Sequence, residues 1–465
     1  MQIYDSLSQK KAPLPKPKKG KLNLFVCGPT VYDYSHIGHA RTYIVFDAFV
    51  KYLKSCGINV FYLQNITDVD DKIIARAKEN NVRPLLLARK FEKEYLKDLK
   101  SLKITAVNKY ARATEFIPQI IGQIQRLIEK GYAYKIDNDG YYFDVSAFAD
   151  YGKLSRRTSG QAEDAISRID QSINKKNKAD FVLWKFYKEG EPFWNTPLGK
   201  GRPGWHIEDT AITEKFFGPQ YDIHGGGIDL KFPHHEAEIA QQEAASGKKP
   251  LVKIWMHTGF LLVNGEKMSK SLYNFITIQD FLKNYPAEVL RMMVFSNHYR
   301  SPFNYTEQLA EQTTQSLKTI SIFISKLQFV SESQNKNRDK NKNYPTAQLI
   351  SNFEKEFNAA MDEDFNTPKA LGATINLISS LQNNIWNLSP KDAKNLIKLL
   401  QKKLKIFEIE LKSTKIPIKI KALAKKREIY RGNKQFTQSD VLRGQISMLG
   451  YLIEDTPFGP FVIAK

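Results

Sequence analysis

Two short motifs carry residue types that can bind a polyphosphate. The first, His36-Ile37-Gly38-His39, lies between a predicted strand and the helix that follows it. The N–H groups and the dipole of a helix N-terminus attract anions, and histidines there can donate hydrogen bonds to phosphate oxygens. Gly38 leaves space for a flat base against the backbone. By itself this tetrapeptide is more often a pair of ordinary turn histidines.

The second motif, Lys267-Met268-Ser269-Lys270-Ser271, lies in a loop that contains glycine and asparagine. Its lysines and hydroxyls can hold a polyphosphate and neutralise the charge of a departing pyrophosphate. A solvated basic loop is the alternative interpretation. The two motifs occur in this order about 230 residues apart, with the first directly after the first strand, and that combination is not expected by chance.

Cysteine, histidine and acidic residues form a third group. Cys27 closes the first predicted strand, at the edge of an open α/β sheet where ligands bind, although a lone buried cysteine is more often an inert apolar residue. Pro233 can begin a helix, which places His234 and Glu238 at i and i+4, a spacing that suits two ligands of one metal ion. Helix capping by a His- and Glu-rich turn is the alternative, and His235 would serve it equally well.

The hydrophobic pattern indicates which elements position these groups. A short apolar run over 22–28, a helical stripe from Tyr43 to Leu53 and a second apolar run over 59–66 predict a βαβ unit, the start of a doubly wound parallel sheet. A helix and a hairpin signal then break this rhythm and predict an insertion over 115–200. From about residue 305 the pattern is helical and rich in lysine.

Composition and charge narrow the class of protein. In 465 residues, 70 Lys and Arg against 49 Asp and Glu give a net charge of +21, which favours a polyanionic partner such as nucleic acid. A lysine-rich surface that serves solubility is the alternative. The two cysteines argue against a disulfide framework, and no apolar run approaches the ~18 residues of a membrane span. We therefore expect a cytoplasmic, multidomain protein without a membrane segment or secretory signal.

Longer blocks of sequence around these motifs resemble the cysteinyl-tRNA synthetase family. In chain order they are CGPTVYDYSHIGHAR, NITDVDDKI, GRPGWHIE, DIHGGGIDLKFPHHEAEIAQ, NGEKMSKS, DEDFNTPKA and LIEDTPFGP, and together they extend over nearly the whole chain. The HIGH and KMSKS motifs among them are similar to those of class I aminoacyl-tRNA synthetases. Enzymes of that class activate an amino acid with ATP on a Rossmann-type domain and then transfer it to tRNA.

The resemblance implies an α/β fold. It consists of a Rossmann-type class I synthetase catalytic domain with an inserted α+β subdomain, followed by an α-helical bundle and a small C-terminal anticodon-binding domain. The implied bounds are 1–114 and 201–304 for the two halves of the Rossmann domain, 115–200 for the insertion, 305–414 for the bundle and 415–465 for the terminal domain.

The resemblance also implies roles for individual residues. It assigns catalysis of amino-acid activation to His36, His39, Lys267 and Lys270. For ATP binding the same four are joined by Gly38, Gly225, Gly226, Gly227 and Asp229. For binding of cysteine it implies Gly28, Thr30, Thr67, Trp205 and His224. For one zinc ion it implies Cys27, Asp209, His234 and Glu238, and Mg²⁺ would accompany ATP.

Asp209 departs from the pattern of the family. It stands in IEDTA, where the common pattern reads IECSA, so the implied zinc site has one sulfur ligand instead of two. Aspartate oxygen is an accepted zinc ligand, and the substrate thiolate would then supply the second sulfur. A weakened or metal-free site is the alternative.

The implied activity is cysteine–tRNA ligation. ATP and L-cysteine would form cysteinyl-adenylate and pyrophosphate, and cysteine would then pass to the 3′ end of tRNA(Cys). Coordination of the thiolate by zinc would select cysteine. The protein is expected to be a monomer. Two alternatives stay open. One is a ligase that joins cysteine to an amino sugar, against which segment 415–465 argues. The other is a non-catalytic tRNA-binding paralogue, against which the intact motifs argue. A Rossmann oxidoreductase is not expected, because no G-x-G-x-x-G follows the first strand.

Overall fold

The computed structural model describes residues 1–17, 20–157, 174–268, 274–333, 345–410 and 416–465. The chain divides into two compact units. The first comprises Met1–Ala287, Asn297–Thr306 and Asp362–Phe365, and the second comprises Glu288–Ser296, Glu307–Met361 and Asn366–Lys465. Each unit is therefore assembled from three separate stretches of sequence. The bounds of the five domains in the sequence analysis stay a prediction.

A parallel sheet of five strands lies at the centre of the first unit. The strands, numbered in chain order, are β3 (Leu22–Val26), β4 (Val60–Ile66), β5 (Lys109–Arg112), β10 (Tyr221–Gly227) and β11 (Val252–Thr258). Their order across the sheet is β11-β10-β3-β4-β5, so the direction of winding reverses between β3 and β10. In open α/β sheets, ligands bind at the carboxyl ends of the strands at such a switch point.

Helix α1 (Ile37–Ser55) joins β3 to β4, and the two strands pair in parallel, so the predicted βαβ unit is confirmed. The apolar stripe that predicts the helix is buried, with Phe46 and Phe49 fully inaccessible. The helix ends just before Gly57, whose φ of +81° lies in the left-handed region that favours glycine. The other helices between strands of this sheet are α2 (Asp71–Glu79), α3 (Pro84–Ser101), α4 (Ile117–Glu129), α5 (Ile207–Phe217) and α6 (His234–Ser246).

An antiparallel sheet is inserted between β5 and β10. Its strands, in spatial order, are β6 (Ala133–Ile136), β7 (Gly140–Phe143), β8 (Phe181–Phe186) and β9 (Gly201–Pro203), and the first two form the predicted hairpin. Helix α4 precedes the hairpin and contacts α5 and α6. Ile120 and Ile124 of α4 share an apolar core with Ile207 and Ala237. This helix thus connects the inserted sheet to the two helices that carry Asp209, His234 and Glu238.

Two smaller sheets also belong to the first unit. Strands β1 (Gln2–Asp5) and β2 (Lys10–Pro13) form a hairpin that the sequence pattern does not predict. In the other sheet, β12 (Leu261–Val263) pairs antiparallel with β13 (Glu266–Lys267) and parallel with β14 (Phe303–Tyr305). The β12–β13 hairpin carries the first lysine of the KMSKS motif, whereas Lys270 lies outside the described residues. Helix α7 (Ile278–Asn284) precedes β14 in the sequence.

The second unit is mainly helical, as the sequence predicts. Its helices, some of which begin or end at the boundary with the first unit, are α8 (Ala287–Phe295), α9 (Glu307–Glu332), α10 (Thr346–Asp362), α11 (Thr367–Gln382), α12 (Pro390–Ile406), α13 (Ile418–Gly432) and α14 (Phe436–Met448). Strands β15 (Tyr451–Thr456) and β16 (Gly459–Ala464) form a terminal hairpin. Within the described ranges, no helix combines the length and the apolar character that crossing a membrane requires.

Candidate active site and metal-ligand cluster

A cavity of about 320 Å³ opens at the switch point of the parallel sheet, and it contains parts of both sequence motifs. The residues that follow β3 form one part of its wall, and residues at the ends of β4 and β10 form another. His36, Gly38 and His39 line the cavity together with Lys267. The predicted pairing of the two motifs around one cavity is therefore present in the described part of the chain.

The two histidines of the first motif cap helix α1. The Nδ1 atom of His36 accepts hydrogen bonds from the backbone N–H groups of Gly38 and His39, at 3.1 and 3.3 Å. The Nδ1 atom of His39 accepts one from the N–H of His36 at 3.4 Å, and the two rings stack 3.7 Å apart. Because Nδ1 is the acceptor in each ring, a neutral ring carries its proton on Nε2.

Burial keeps these two imidazoles uncharged at neutral pH. It lowers the pKa of His36 to about 2, and burial together with the charge of Lys72 lowers the pKa of His39 to about 4. Both rings can therefore donate a hydrogen bond from Nε2–H but carry no positive charge at pH 7. Among the described residues that line the cavity, the cations are Lys72 and Lys267.

Gly38 has no space for a side chain. A Cβ atom at this position would lie 2.8 Å from the His36 ring and 3.0 Å from the methyl group of Met268. The glycine thus allows Met268 to approach the start of α1 closely.

The four predicted metal ligands lie together. Ligand atoms of Cys27, Asp209, His234 and Glu238 are all within 4.8 Å of one another, and all four residues are buried. The Nε2 atom of His234 lies 2.9 Å from Asp209 Oδ2 and 3.5 Å from Glu238 Oε1. The i and i+4 spacing of His234 and Glu238 on α6 therefore brings both side chains into one cluster of possible metal ligands.

A second group of donors overlaps the first. It consists of Cys27, His224, His235 and Glu238, whose ligand atoms also lie within 4.8 Å of one another. Cys27 Sγ is 3.2 Å from the Nε2 atoms of both His224 and His235, and Glu238 Oε2 is 3.4 Å from His224 Nε2. From the sequence, His235 enters only under the alternative interpretation of helix capping, and it is not predicted to be a metal donor.

The chemistry of this cluster fits a bound cation. Asp209 Oδ1 and both carboxylate oxygens of Glu238 are buried and have no hydrogen-bond partner in the described structure. Burial, followed by the nearby carboxylates, raises the pKa of the Cys27 thiol and that of Glu238, while burial lowers the pKa of His224 and His235. A divalent cation reverses the cost of ionising the thiol and carboxylates, and sulfur, imidazole and carboxylate are all accepted zinc donors.

Each histidine near Cys27 makes a second contact through its other ring nitrogen. His234 Nδ1 is 2.8 Å from His206 Nδ1, and His224 Nδ1 is 2.6 Å from the hydroxyl of Tyr221. His235 Nδ1 is 2.8 Å from His257 Nε2. Contacts of this kind fix the orientation and tautomer of a metal-binding imidazole.

Of the residues predicted to bind cysteine, Gly28, Thr30, Thr67 and Trp205 line the cavity. Thr30 and Thr67 pair as an isolated parallel bridge, and the Trp205 ring stacks on His234 at 4.3 Å. His224 does not line the cavity; its Nε2 atom lies 3.2 Å from the Cys27 sulfur, and its ring stacks on Trp255 at 4.4 Å.

The predicted ATP-binding residues around the end of β10 fall into two groups, one on the cavity wall and one in the packed interior. Gly227 and Asp229 line the cavity, whereas Gly225 and Gly226 do not. A Cβ atom at Gly225 would overlap the buried Phe46 ring, and one at Gly226 would lie 2.8 Å from the His235 ring. The first two glycines of this run therefore permit close packing of α1 and α6 against the sheet.

Sequence reasoning also missed Glu208, which is fully buried next to Asp209. Its Oε1 atom accepts hydrogen bonds from the Thr67 hydroxyl and from Asn65 Nδ2, and Asn65 Oδ1 accepts from the N–H of Gly28. Burial and the neighbouring Asp209 raise the pKa of Glu208. The blocks NITDVDDKI and GRPGWHIE contain Asn65 and Glu208, but no spacing rule pairs them.

Comparison with known proteins gives the class first. The family described as tRNA synthetases class I (C) catalytic domain matches residues 14–315, and the DALR domain matches residues 356–412. The solved structure of Mycobacterium tuberculosis methionyl-tRNA synthetase in complex with methionyl-adenylate has a TM-score of 0.60 at 15% identity, covering 84% of this chain and 90% of that one. A putative arginyl-tRNA synthetase from Campylobacter jejuni has a TM-score of 0.57 at 14% identity, covering 86% and 95%. The fold is that of a class I aminoacyl-tRNA synthetase.

Curated relatives then identify the family within this class. The cysteine–tRNA ligases of Thermoplasma volcanium and Thermoplasma acidophilum are each 44% identical to this chain, over 458 and 456 residues, covering 98% of this chain and 98% of their own. The cysteine–tRNA ligase of Thermococcus onnurineus is 41% identical over 471 residues, covering 99% and 98%. The chain belongs to the cysteine–tRNA ligase family.

The ligand cluster predicts a specific effect on metal binding. We expect Glu238→Gln to weaken zinc affinity by at least about tenfold, because a neutral amide replaces an anionic donor that no hydrogen bond stabilises. Competition with a chromophoric chelator measures the affinity. Glu236→Gln is the matched control, since Glu236 is also buried in α6 but accepts backbone N–H groups of Leu154 and Ser155 instead. Equal zinc affinities of Glu238→Gln and the unmodified chain would contradict the ligand cluster.

Proposed function

We propose that this chain activates L-cysteine with ATP, giving cysteinyl-adenylate and pyrophosphate, and then transfers cysteine to the 3′ end of tRNA(Cys). The observation that carries the proposal is that three of the four predicted metal ligands, Cys27, Asp209 and His234, line the same cavity as His36, His39 and Lys267. A thiol-selective group and a phosphate-binding group thus face one substrate-sized space. Family membership and the near full-length relatives support the same activity.

In the first step, a carboxylate oxygen of cysteine attacks the α-phosphorus of ATP, and the bond to the bridging oxygen of pyrophosphate breaks. The attacking carboxylate is already ionised at neutral pH, so no residue needs to remove a proton. The protein then acts by positioning and by stabilising charge. We assign hydrogen-bond donation to the Nε2–H groups of His36 and His39, and charge neutralisation to Lys267 and Lys270, with Mg²⁺ on the phosphates.

Discrimination between cysteine and serine requires more than shape, because the two differ by one sulfur or oxygen atom and an apolar pocket separates near-isosteres weakly. We propose that Cys27, Asp209, His234 and Glu238 hold one zinc ion, which supplies a Lewis acid that prefers thiolate to hydroxyl. Trp205 holds the His234 ring by stacking at 4.3 Å, and His206 contacts its other nitrogen.

The remaining parts of the cysteine molecule have candidate partners on the cavity wall. Gly28, Thr30 and Thr67 line the cavity together with Cys27, and Asp229 lines it next to Gly227. We assign the first three to the amino and carboxyl groups of cysteine and Asp229 to the nucleotide. His224 contacts the Cys27 sulfur at 3.2 Å, so we assign to it the orientation of that ligand and no direct contact with cysteine.

Transfer to tRNA, first to the 2′-OH as the class I resemblance implies, requires a surface that holds the polyanion. Lys425, Lys426, Lys434 and Arg443 are exposed on α13, α14 and the turn between them, and phosphate contacts are a suitable role for them. Arg427 has a different role, because it is 1% exposed and forms a two-point ion pair with Asp455. Action as a monomer in the cytoplasm stays the expectation from the sequence.

The proposed activity predicts cysteine-dependent exchange of pyrophosphate into ATP by the zinc-loaded chain. Serine at the same concentration should support exchange at a rate lower by at least about a thousandfold, because the hydroxyl is a poor zinc ligand. Charging of tRNA(Cys) with labelled cysteine then tests the second step. Exchange that does not depend on cysteine, or equal rates with cysteine and serine, would refute the proposal.

Asp209 gives a second prediction. We expect Asp209→Cys to increase zinc affinity relative to the unmodified chain, because a thiolate is the softer and stronger donor for zinc. Chelator competition measures the affinity at a fixed pH. The control is Asp222→Cys, at a buried aspartate of β10 that belongs to neither donor group. An unchanged affinity in Asp209→Cys, with the protein folded, would contradict the ligand role of position 209.

A further inference from the structure

We propose that Asp364 is a positioning residue for the nucleotide side of the catalytic cavity; this rests on the proposed function. Asp364 lies far along the sequence, between the helices α10 and α11. Nevertheless, residues Asp362–Phe365 belong to the first compact unit, which contains the cavity. The contacts of this four-residue segment within that unit carry the proposal.

The Asp364 carboxylate is 1% exposed and has a hydrogen-bond donor for each oxygen. Oδ1 accepts from the backbone N–H of Tyr4 at 2.8 Å and from the Tyr299 hydroxyl at 2.6 Å. Oδ2 accepts from the guanidinium of Arg300, with Nε at 2.8 Å and a second nitrogen at 2.7 Å. Three of these four bonds go to the segment that contains Tyr299 and Arg300, so a buried charge holds that turn in place.

Asp364 and Phe365 have unusual backbone conformations. Their φ angles are +56° and +48°, in the left-handed region that side chains other than glycine rarely adopt. Phe365 is fully buried against Phe49 of α1, with ring centroids 5.4 Å apart. The segment therefore contacts both the turn at 299–301 and the helix that begins with the HIGH motif.

The same turn is joined to the cavity wall through Arg41. Arg41 lies in α1 two residues after His39, and its guanidinium donates hydrogen bonds to four backbone carbonyls. The acceptors are Gly259 O and Phe260 O on one segment, and Tyr299 O and Ser301 O on the other. The N–H of Gly259 also donates to Tyr299 O at 2.8 Å.

Through these contacts, the turn is connected to residues that line the catalytic cavity. Gly259 and Phe260 line the cavity, and Lys267 Nζ lies 5.0 Å from the centroid of the Phe260 ring. Thr42, which also lines the cavity, contacts the Thr258 hydroxyl at 2.8 Å. A shift of the 299–301 turn would therefore move the wall on which the first lysine of the KMSKS motif lies, while Cys27 and the other metal ligands are held by different contacts.

The test is pyrophosphate exchange by the zinc-loaded full chain with Asp364→Asn, a substitution that keeps the shape but removes the charge facing Arg300. We expect kcat/KM for ATP to fall by about tenfold or more, since small displacements in an active site have effects of that size. KM for cysteine should stay within about twofold, because the metal cluster is untouched. Asp362→Asn is the matched control in the same segment, because the Asp362 carboxylate accepts a hydrogen bond from the Tyr52 hydroxyl at 2.9 Å, and it should behave as the unmodified chain.

A second variant covers the case in which Asp364→Asn does not fold. Tyr299→Phe removes one hydroxyl donor to Asp364 and should lower kcat/KM for ATP in the same direction by a smaller factor. Normal ATP kinetics in the folded variants, or equal losses for ATP and cysteine, would overturn the positioning role. Absence of cysteine-dependent exchange in the unmodified chain would refute the proposed function instead, so the two failures are distinguishable.

Discussion

A thiol, two carboxylates and an imidazole are buried away from water at the end of the central sheet. This burial constrains the elements that surround the four groups. Cys27, Asp209, His234 and Glu238 are each at most 4% exposed, and three of the carboxylate oxygens have no hydrogen-bond partner in the described structure. Unpaired negative charge in a dry site is costly, so the Cys27 thiolate and the Glu238 carboxylate are stable only beside a cation. The stacking of Trp205 and the second contacts of the histidines hold the donors in one arrangement, ready for such an ion.

The parallel sheet explains how this cluster and parts of the HIGH and KMSKS motifs share one cavity. Because the strand order reverses between β3 and β10, Cys27 lies next to the end of β10, and α1 begins at the same edge of the sheet. In the proposed reaction, the uncharged rings of His36 and His39 would provide directional hydrogen-bond donors, and lysines would supply positive charge. Arg41 joins α1 to the carbonyls of Gly259 and Tyr299, so the helix that begins with the HIGH motif and the cavity wall at Gly259 are held together.

Local sequence patterns predicted the parts of the site that depend on local geometry. The spacing of His234 and Glu238 placed both on one face of α6, and the strand–helix pattern placed the HIGH motif at a helix N-terminus. The strand pattern places Cys27 at the edge of the sheet, but its metal role and that of Asp209 are implied only by the resemblance, because the tertiary fold alone brings them to α6. The same limit applies to His224, Gly225 and Gly226, whose positions in the packed interior instead of on the cavity wall depend on the tertiary fold. Glu208 and Asp364 have no local signature at all, since their partners lie more than 60 residues away in the sequence.

The claim that the metal cluster selects the thiol of cysteine can be tested directly by zinc K-edge X-ray absorption of the zinc-loaded chain. Without substrate, we expect one sulfur neighbour, from Cys27, and nitrogen and oxygen neighbours from His234, Asp209 and Glu238. Addition of cysteine should raise the number of sulfur neighbours from one to two, whereas serine should leave the spectrum unchanged. A spectrum without any sulfur neighbour, or one that cysteine does not alter, would contradict the claim.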